Sequence, residues 1–355
     1  MKNKKLFAKN VSIIITTYNR SKFINIYLEF LKLFNFGGEV IIGNASNEKD
    51  FLILQKQIIE NDYKKFQITH LHVPKKEDNV SYSINDCFIE CLKKVKTDYV
   101  FLTCDDDLVL PSSLNKLEEV LNKSKKYNGV TGDICWVGNA TAISIHRQSW
   151  SILSKNPIDR LNKYIKKPFH SMFTLVRKEV LDDFVPKNFR DITFNHFAAD
   201  YSWILTIVIN GPIKKINSPV VFRQWHKSQL NKQKPFLDYK DFQNKSYYLE
   251  DKKNFLNHLN SVVNKRFYND TNQKEIDKFF EKYEYFRNNS EKIKLYEKVF
   301  IKVIPKFNKA FKKDLNLHTI KEFIFGYKSP LFKQKVNTYN ETAEKIKYLQ
   351  NKYEI

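Results

Sequence analysis

Glycine is scarce, with 8 among 355 residues, and no stretch reads GxGxxG or GxxxxGK[ST]. Those patterns let a backbone close around phosphates, so their absence argues against dinucleotide redox chemistry and against a P-loop. Cysteine is equally sparse. Cys87 and Cys91 stand four apart on an expected helix, and Cys104 and Cys135 are isolated, so the second pair of a zinc site is missing. A reduced, cytoplasmic chain is the simplest expectation. No apolar run approaches the ~20 residues of a spanning helix. The opening "MKNKKLF" has the charge of a signal peptide, but the run after it, Val11 to Ile15, is too short and ends in "TTYNR". The expectation is a soluble protein, or one that sits peripherally on the inner membrane face.

Positive charge is plentiful. Lys and Arg number 61 against 39 Asp and Glu, a net charge of +22. It is spread along the chain: residues 231–355 hold 27 basic and 16 acidic side chains, leaving 34 and 23 in residues 1–230. Such a spread reads mainly as a solvated surface, with some attraction for anionic partners. A nucleic-acid-binding protein would cluster its charge with aromatics on one face, which this pattern disfavours. Hydrophobic residues make up 42% and aromatics 15%, enough for one large domain or two ordinary ones and too much for disorder along the whole length.

Strand and helix signals alternate in the first part. "VSIII" (11–15), "EVIIG" (39–43), "FQITHLHV" (66–73) and "DYVFLT" (98–103) read as strands. Helical patterns run over 21–36, 48–62 and 81–96, and Pro111 opens another to about 127. Further on, 170–177 reads as a strand and 197–210 as a buried helix. The pattern predicts an α/β fold, a mostly parallel sheet flanked by helices, over residues 1–230. Residues 231–355 lose the alternation and read as a mainly helical region. Three jobs stay open for it: a cap on the sheet, a dimerisation arm, or a basic surface for lipid.

In a parallel sheet, ligands bind at the carboxyl ends of the strands. Three polar clusters fall there: "TTYN" (16–19), "GNAS" (43–46) and "CDDD" (104–107). Adjacent carboxylates repel, so a triplet at the end of a buried strand is either a solvated turn or a cation site. Carboxylate oxygens suit Mg²⁺ or Mn²⁺, and a bound cation would relieve the repulsion and neutralise a diphosphate. Thr16 and Thr17 can donate to phosphate or to base edges, and Asn44 or Ser46 can reach a base or ribose. Asp200 is either an N-cap of the helix after it or a carboxylate with a task.

These motifs resemble glycosyltransferase family 2, which has the GT-A fold. The resemblance rests on "VSIIITTYNR" (11–20), "VFLTCDDDLVLP" (100–111), "AADYSW" (198–203) and "RQWH" (223–226), and covers about residues 10–230. It implies transfer of a sugar from a nucleoside diphosphate sugar, UDP- or GDP-linked, to a hydroxyl of a glycan or lipid-linked acceptor in surface-polysaccharide biosynthesis, with inversion. Carried over by position, Thr16, Tyr18 and Asn44 lie near the base and ribose, with Thr17, Arg20, Ser46 and Asn85 in the same donor site. Asp105 contacts ribose or metal, Asp106 and Asp107 hold the cation, and His226 touches metal or diphosphate. Asp200 is the general base, supported by Trp203; His170 and Arg177 line the acceptor side. Two positions depart from the family pattern: Gly43 replaces the usual acid after the second strand, and Ile84 replaces an arginine before Asn85. A nucleotidyl or phosphoryl transferase on the same fold, and a basic nucleic-acid-binding protein, are the alternatives.

Overall fold

The computed structural model describes residues 5–74, 80–137, 143–146, 149–166, 172–182, 196–224, 244, 248–266, 274, 277–278, 281 and 330–353. Its centre is β1 (Val11–Thr17), buried at every position. A strand covered on both faces reads as an unbroken apolar run, and the alternation within it separates two cores. Ile14, with Ile41, Val100 and Leu102 of the neighbouring strands, faces one core; Ile13 and Ile15, with Val40, Ile42 and Phe101, face the other.

Around β1 the chain runs α1 (Ser21–Leu33), β2 (Glu39–Asn44), α2 (Glu48–Glu60), β3 (Gln67–His72), α3 (Val80–Leu92), β4 (Tyr99–Cys104), β5 (Asp107–Val109) and α4 (Pro111–Lys123). It continues through β6 (Gly129–Val137), β7 (Ile143–His146), α5 (Pro157–Lys166), β8 (Thr174–Arg177), α6 (Lys178–Asp182), α7 (His196–Asn210) and β9 (Ile213–Gln224). Two more helices are described, α8 (Tyr248–Arg266) and α9 (Pro330–Lys352).

The strands form one sheet in the order β3-β2-β1-β4-β8-β6-β9-β5, with β7 paired to β6. The first four strands are parallel, as the alternation predicts. Beyond β4 the sheet is mixed: β8 is antiparallel to β4 and β6, and β5 is antiparallel to β9, while β6 and β9 run parallel. The expected "mostly parallel" sheet is therefore all parallel in its first half and mixed in its second. Three-residue β5 shows no periodicity of its own, which hides it in the sequence.

The last helix returns to the sheet. Ala343, Ile346 and Leu349 of α9 are buried in the same core as Ile13, Phe30 and Leu114, and Lys345 lies over the Phe34 ring at 4.4 Å. On the other face, Val262 and Val263 of α8 join the core that holds α3 and α7. Ile346 is completely buried. Ile346→Ala is expected to lower the unfolding free energy by about 2–5 kcal/mol, read as a shifted urea midpoint.

Candidate active site at the carboxyl edge of the sheet

Register brings the three polar clusters together. Thr16 pairs across from Gly43 and from Cys104, and Thr17 across from Asn44. Neighbouring strands lie about 4.8 Å apart, so the ends of β1, β2 and β4 form one continuous edge. After Thr17 the chain turns through Asn19, whose φ of 53° is a left-handed conformation that asparagine tolerates better than most residues. The turn is tied to the β2 loop: Asn19 N donates to Ser46 Oγ at 2.7 Å, and Ala45 N to the Thr17 carbonyl at 3.0 Å.

The acids sit in the turn between β4 and β5, and arginines meet their repulsion. Arg20, the residue before α1, places Nη1 2.8 Å from Asp105 Oδ1 and Nη2 3.1 Å from Asp106 Oδ2. Its guanidinium also rests 4.1 Å above the Phe23 ring. Asp105 accepts a further bond from Thr17 Oγ1 at 2.8 Å. Asp107 stands directly opposite Arg223 on β9 and accepts from its Nε at 2.8 Å. Thr103 Oγ1 closes the turn by donating to the Asp107 carbonyl at 2.8 Å. Two like charges ~5 Å apart cost about 3 kcal/mol at an effective dielectric near 20, so two nearby guanidiniums change the balance substantially. Burial pushes the carboxyls of Asp105 and Asp107 up to about 7, opposed by Arg20 and Arg223 respectively and reinforced by Asp106 between them.

The two arginines thus meet part of the repulsion that the sequence left to a solvated turn or a cation. Asp105 and Asp107 are 3% and 4% exposed, while Asp106, which is also paired with Arg20, is 16% exposed. Among the described residues no group of three His, Cys, Asp or Glu side chains is arranged as a cage for a metal. Mg²⁺ and Mn²⁺, however, commonly bind through one or two carboxylates plus substrate phosphates. A donor set led by Asp106 and completed by a diphosphate fits that chemistry; an all-protein cage of Asp105, Asp106 and Asp107 does not.

The β2 end also differs from expectation. Asn44 is 1% exposed and both ends of its amide are used inside the protein. Its Oδ1 accepts from Ser46 N at 2.9 Å, and its Nδ2 lies 3.1 Å from His70 Nε2. His70 Nδ1 lies 2.6 Å from Gln55 Oε1, so the proton sits on Nδ1 and Nε2 accepts from Asn44. Asn44 and Ser46 thus hydrogen-bond within the loop beside the donor edge. Gly43, where the family carries an acid, has no room for one: a Cβ there would come within 2.6 Å of Cys87 Cβ and 3.0 Å of Cys91 Sγ. The cysteines of α3 are packing residues, and burial pushes both thiols up.

His70 and His72 both stack on Phe51, at 4.4 and 4.5 Å. Burial first, then His72, lowers His70 to about 4. An unfolded histidine titrates near 6.5, so between pH 6.5 and 4 the unfolded chain binds more protons. Stability is then present above pH 6.5 and lost as pH falls towards 4, by on the order of 1–3 kcal/mol. Asp105 and Asp107, raised to about 7, contribute the opposite slope over this window, so the histidine is read as a difference: from pH 7.5 to 5 the melting temperature of the wild type should fall more, or rise less, than that of His70→Gln.

The acceptor-side expectations fare differently. Arg177 lies opposite Tyr99, at the amino end of β4, and its guanidinium donates to the carbonyls of Leu121, in the last turn of α4, and of Ser124 and Tyr127 after it. It closes a helix end at the edge away from the acids. Trp203 is buried and meets Phe88 edge to face at 5.3 Å, locking α7 to α3. Asp200 lies on α7, which begins at His196; it is one turn inside the helix, not its N-cap. The far end of α7 is gripped by buried Arg160, which donates to the carbonyls of Val208 and Ile209. The side chains of Asp200 and Asn85, together with residues His170 and His226, lie outside the described residues. Tyr18 is half-buried at the turn after β1.

Sequence reasoning had Arg223 and Gln224 only as part of a motif and missed His70 and Gln55. The pairing of Arg223 with Asp107 spans 116 positions, and nothing local announces it.

Solved structures similar to this chain share little of its sequence. TarS of S. aureus, in a structure with UDP-GlcNAc, is 16% identical, with 73% of this chain and 74% of that chain covered and a TM-score of 0.48. Glucosyl-3-phosphoglycerate synthase from Mycobacterium tuberculosis, in a structure with Mn²⁺, UDP and glucosyl-3-phosphoglycerate, is 11% identical, covering 64% of this chain and 75% of that chain, with a TM-score of 0.39. No curated protein sequence matches the chain. The pattern of glycosyl transferase family 2 matches residues 12–185, from β1 through α6. The residues that supply the strand ends and the acid turn of this edge lie within the stretch that the family pattern matches.

Proposed function

We propose that this glycosyltransferase moves a sugar from a nucleoside diphosphate sugar to a hydroxyl of a glycan or lipid-linked acceptor, with inversion and with Mn²⁺ or Mg²⁺. The observation that carries the reading is the acid turn. Asp105 and Asp107 are tied down by Thr17, Arg20 and Arg223, and Asp106 is the most exposed of the three, next to the ends of β1 and β2. The family match supports the transfer.

The residues divide the work. Thr17 and Arg20 fix Asp105, and Arg223 fixes Asp107, so that Asp106 is presented from a rigid turn. Asp106 would hold the cation together with the diphosphate oxygens. A bound cation supplies charge stabilisation for the departing diphosphate. Asp200, carried on α7, takes the proton of the acceptor hydroxyl as its oxygen bonds the anomeric carbon. The bond from that carbon to the diphosphate breaks in the same displacement, and oxocarbenium character develops at the carbon. Tyr18 stands at the donor end of β1, where a base or ribose would pack against its ring. An assay pairing UDP- and GDP-sugars with and without Mn²⁺ tests the reading: cation-dependent release of one nucleoside diphosphate supports it, and no release with any donor removes it. A surface-glycan role and residence at the inner membrane face belong to the same proposal. Among the described residues no helix is long and apolar enough to cross a membrane.

A further inference from the structure

The acid turn is held from a third side, by the far end of the chain. Gln224, the last residue of β9, donates its backbone N–H to the Asp106 carbonyl at 3.2 Å and reaches the same carbonyl with Nε2 at 3.4 Å. Its Oε1 accepts from Gln350 Nε2 of α9 at 3.0 Å. Both glutamines are buried, Gln224 at 1% exposure and Gln350 at 8%. The direction of this relay is set by its end. A carbonyl can only accept, so Gln224 must turn Nε2 to Asp106 and Oε1 away; Gln350 must then present its own Nε2. Reversing either amide would face two acceptors, or two donors, inside a buried site.

The geometry points to Gln350 as a positioning residue for the acid turn, so that the C-terminal helix is part of the donor site and not only a cover for the sheet. Gln350 touches no reacting atom; it acts through Gln224 on the backbone of Asp106. The same helix also supports the opposite side of the turn. It packs on α1, with Lys345 over Phe34, and α1 is preceded by Arg20, which grips Asp105 and Asp106. Docking of α9 therefore bears on both sides of Asp106. The role assigned to Gln350 rests on the reading of this turn as the donor site.

Gln350→Met keeps length and volume and removes the donor to Gln224 Oε1. Ile346→Val trims the same buried face of α9 without touching the relay. Hydrogen exchange in ligand-free protein is read first. Gln350→Met is expected to speed exchange at least about tenfold in peptides covering 103–110 and 220–224, and Ile346→Val to leave both within about twofold. Mn²⁺ half-saturation in the presence of a fixed nucleoside diphosphate is read second, by calorimetry. Gln350→Met should weaken it about tenfold, the equivalent of one lost buried hydrogen bond, ~1.4 kcal/mol. Unchanged exchange, or exchange altered equally by both variants, overturns the positioning role. So does faster exchange with unchanged Mn²⁺ half-saturation. If wild-type protein shows no saturable Mn²⁺ or nucleotide response, the donor-site reading fails and the inference falls with it; the exchange result still tells whether Gln350 holds the turn. Should Gln350→Met fail to fold, Gln350→Glu, which offers an acceptor in place of the donor, takes its place under the same two outcomes.

Discussion

Asp106→Ala is expected to abolish cation-dependent nucleotide binding and to lower kcat/KM by about 10³-fold, while the ligand-free protein melts at the same temperature or slightly higher. The two halves follow from different facts. Asp106 is the most exposed carboxylate of the triplet, so its removal takes away the group that would share the cation with the diphosphate. Cation stabilisation of a leaving group contributes several kcal/mol to the transition state, and each 1.36 kcal/mol is a factor of ten. Yet Asp106 also raises both neighbouring carboxyls by its charge. Taking it out relieves repulsion against Asp105 and Asp107, and Arg20 keeps its 2.8 Å pairing with Asp105. Loss of activity together with a clearly lower melting temperature would mean that Asp106 holds the fold instead.

Asp200→Asn separates binding from chemistry. Nucleoside diphosphate affinity should stay within about twofold, because Asp200 belongs to α7 and not to the strand ends that form the donor edge. Transfer should fall by about 10²–10⁴-fold, the usual contribution of a positioned base. The helix that carries it is held at its far end by Arg160 on the carbonyls of Val208 and Ile209 and at its middle by Trp203 against Phe88. Retained turnover in initial-rate assays would take Asp200 out of the base role.

The first half of the sheet was legible because strands buried on both faces are written as plain apolar runs: Val11–Ile15, Val40–Ile42 and Val100–Leu102 each announce themselves. The edge followed from topology, since parallel strands put Thr16, Asn44 and Asp105 at the same end. Partners across that edge were not legible. The pairings of Asp107 with Arg223 and of Asp106 with Gln224 depend on how β5 and β9 align, and a three-residue strand carries no pattern from which to read that register. Asn44 is a second case. Its residue type suits a base edge, but the parallel pairing of β2 with β3 brings His70 beside it, and the amide is spent there. Trp203 and Arg177 show the same limit: an aromatic and a cation in plausible positions turned to core packing and to a helix end once the fold was formed. The triplet itself was read correctly as a place where negative charge needs compensation. The compensating groups are two arginines far from it in sequence.

The central claim, that this edge binds a nucleoside diphosphate through a cation at Asp106, is tested most directly by calorimetric titration of UDP and GDP with and without Mn²⁺. One of the two should saturate a single site with Mn²⁺ present and lose that response without it. Indifference to Mn²⁺, or no saturation by either nucleotide alongside nucleic-acid binding that weakens steeply with salt, would contradict the account.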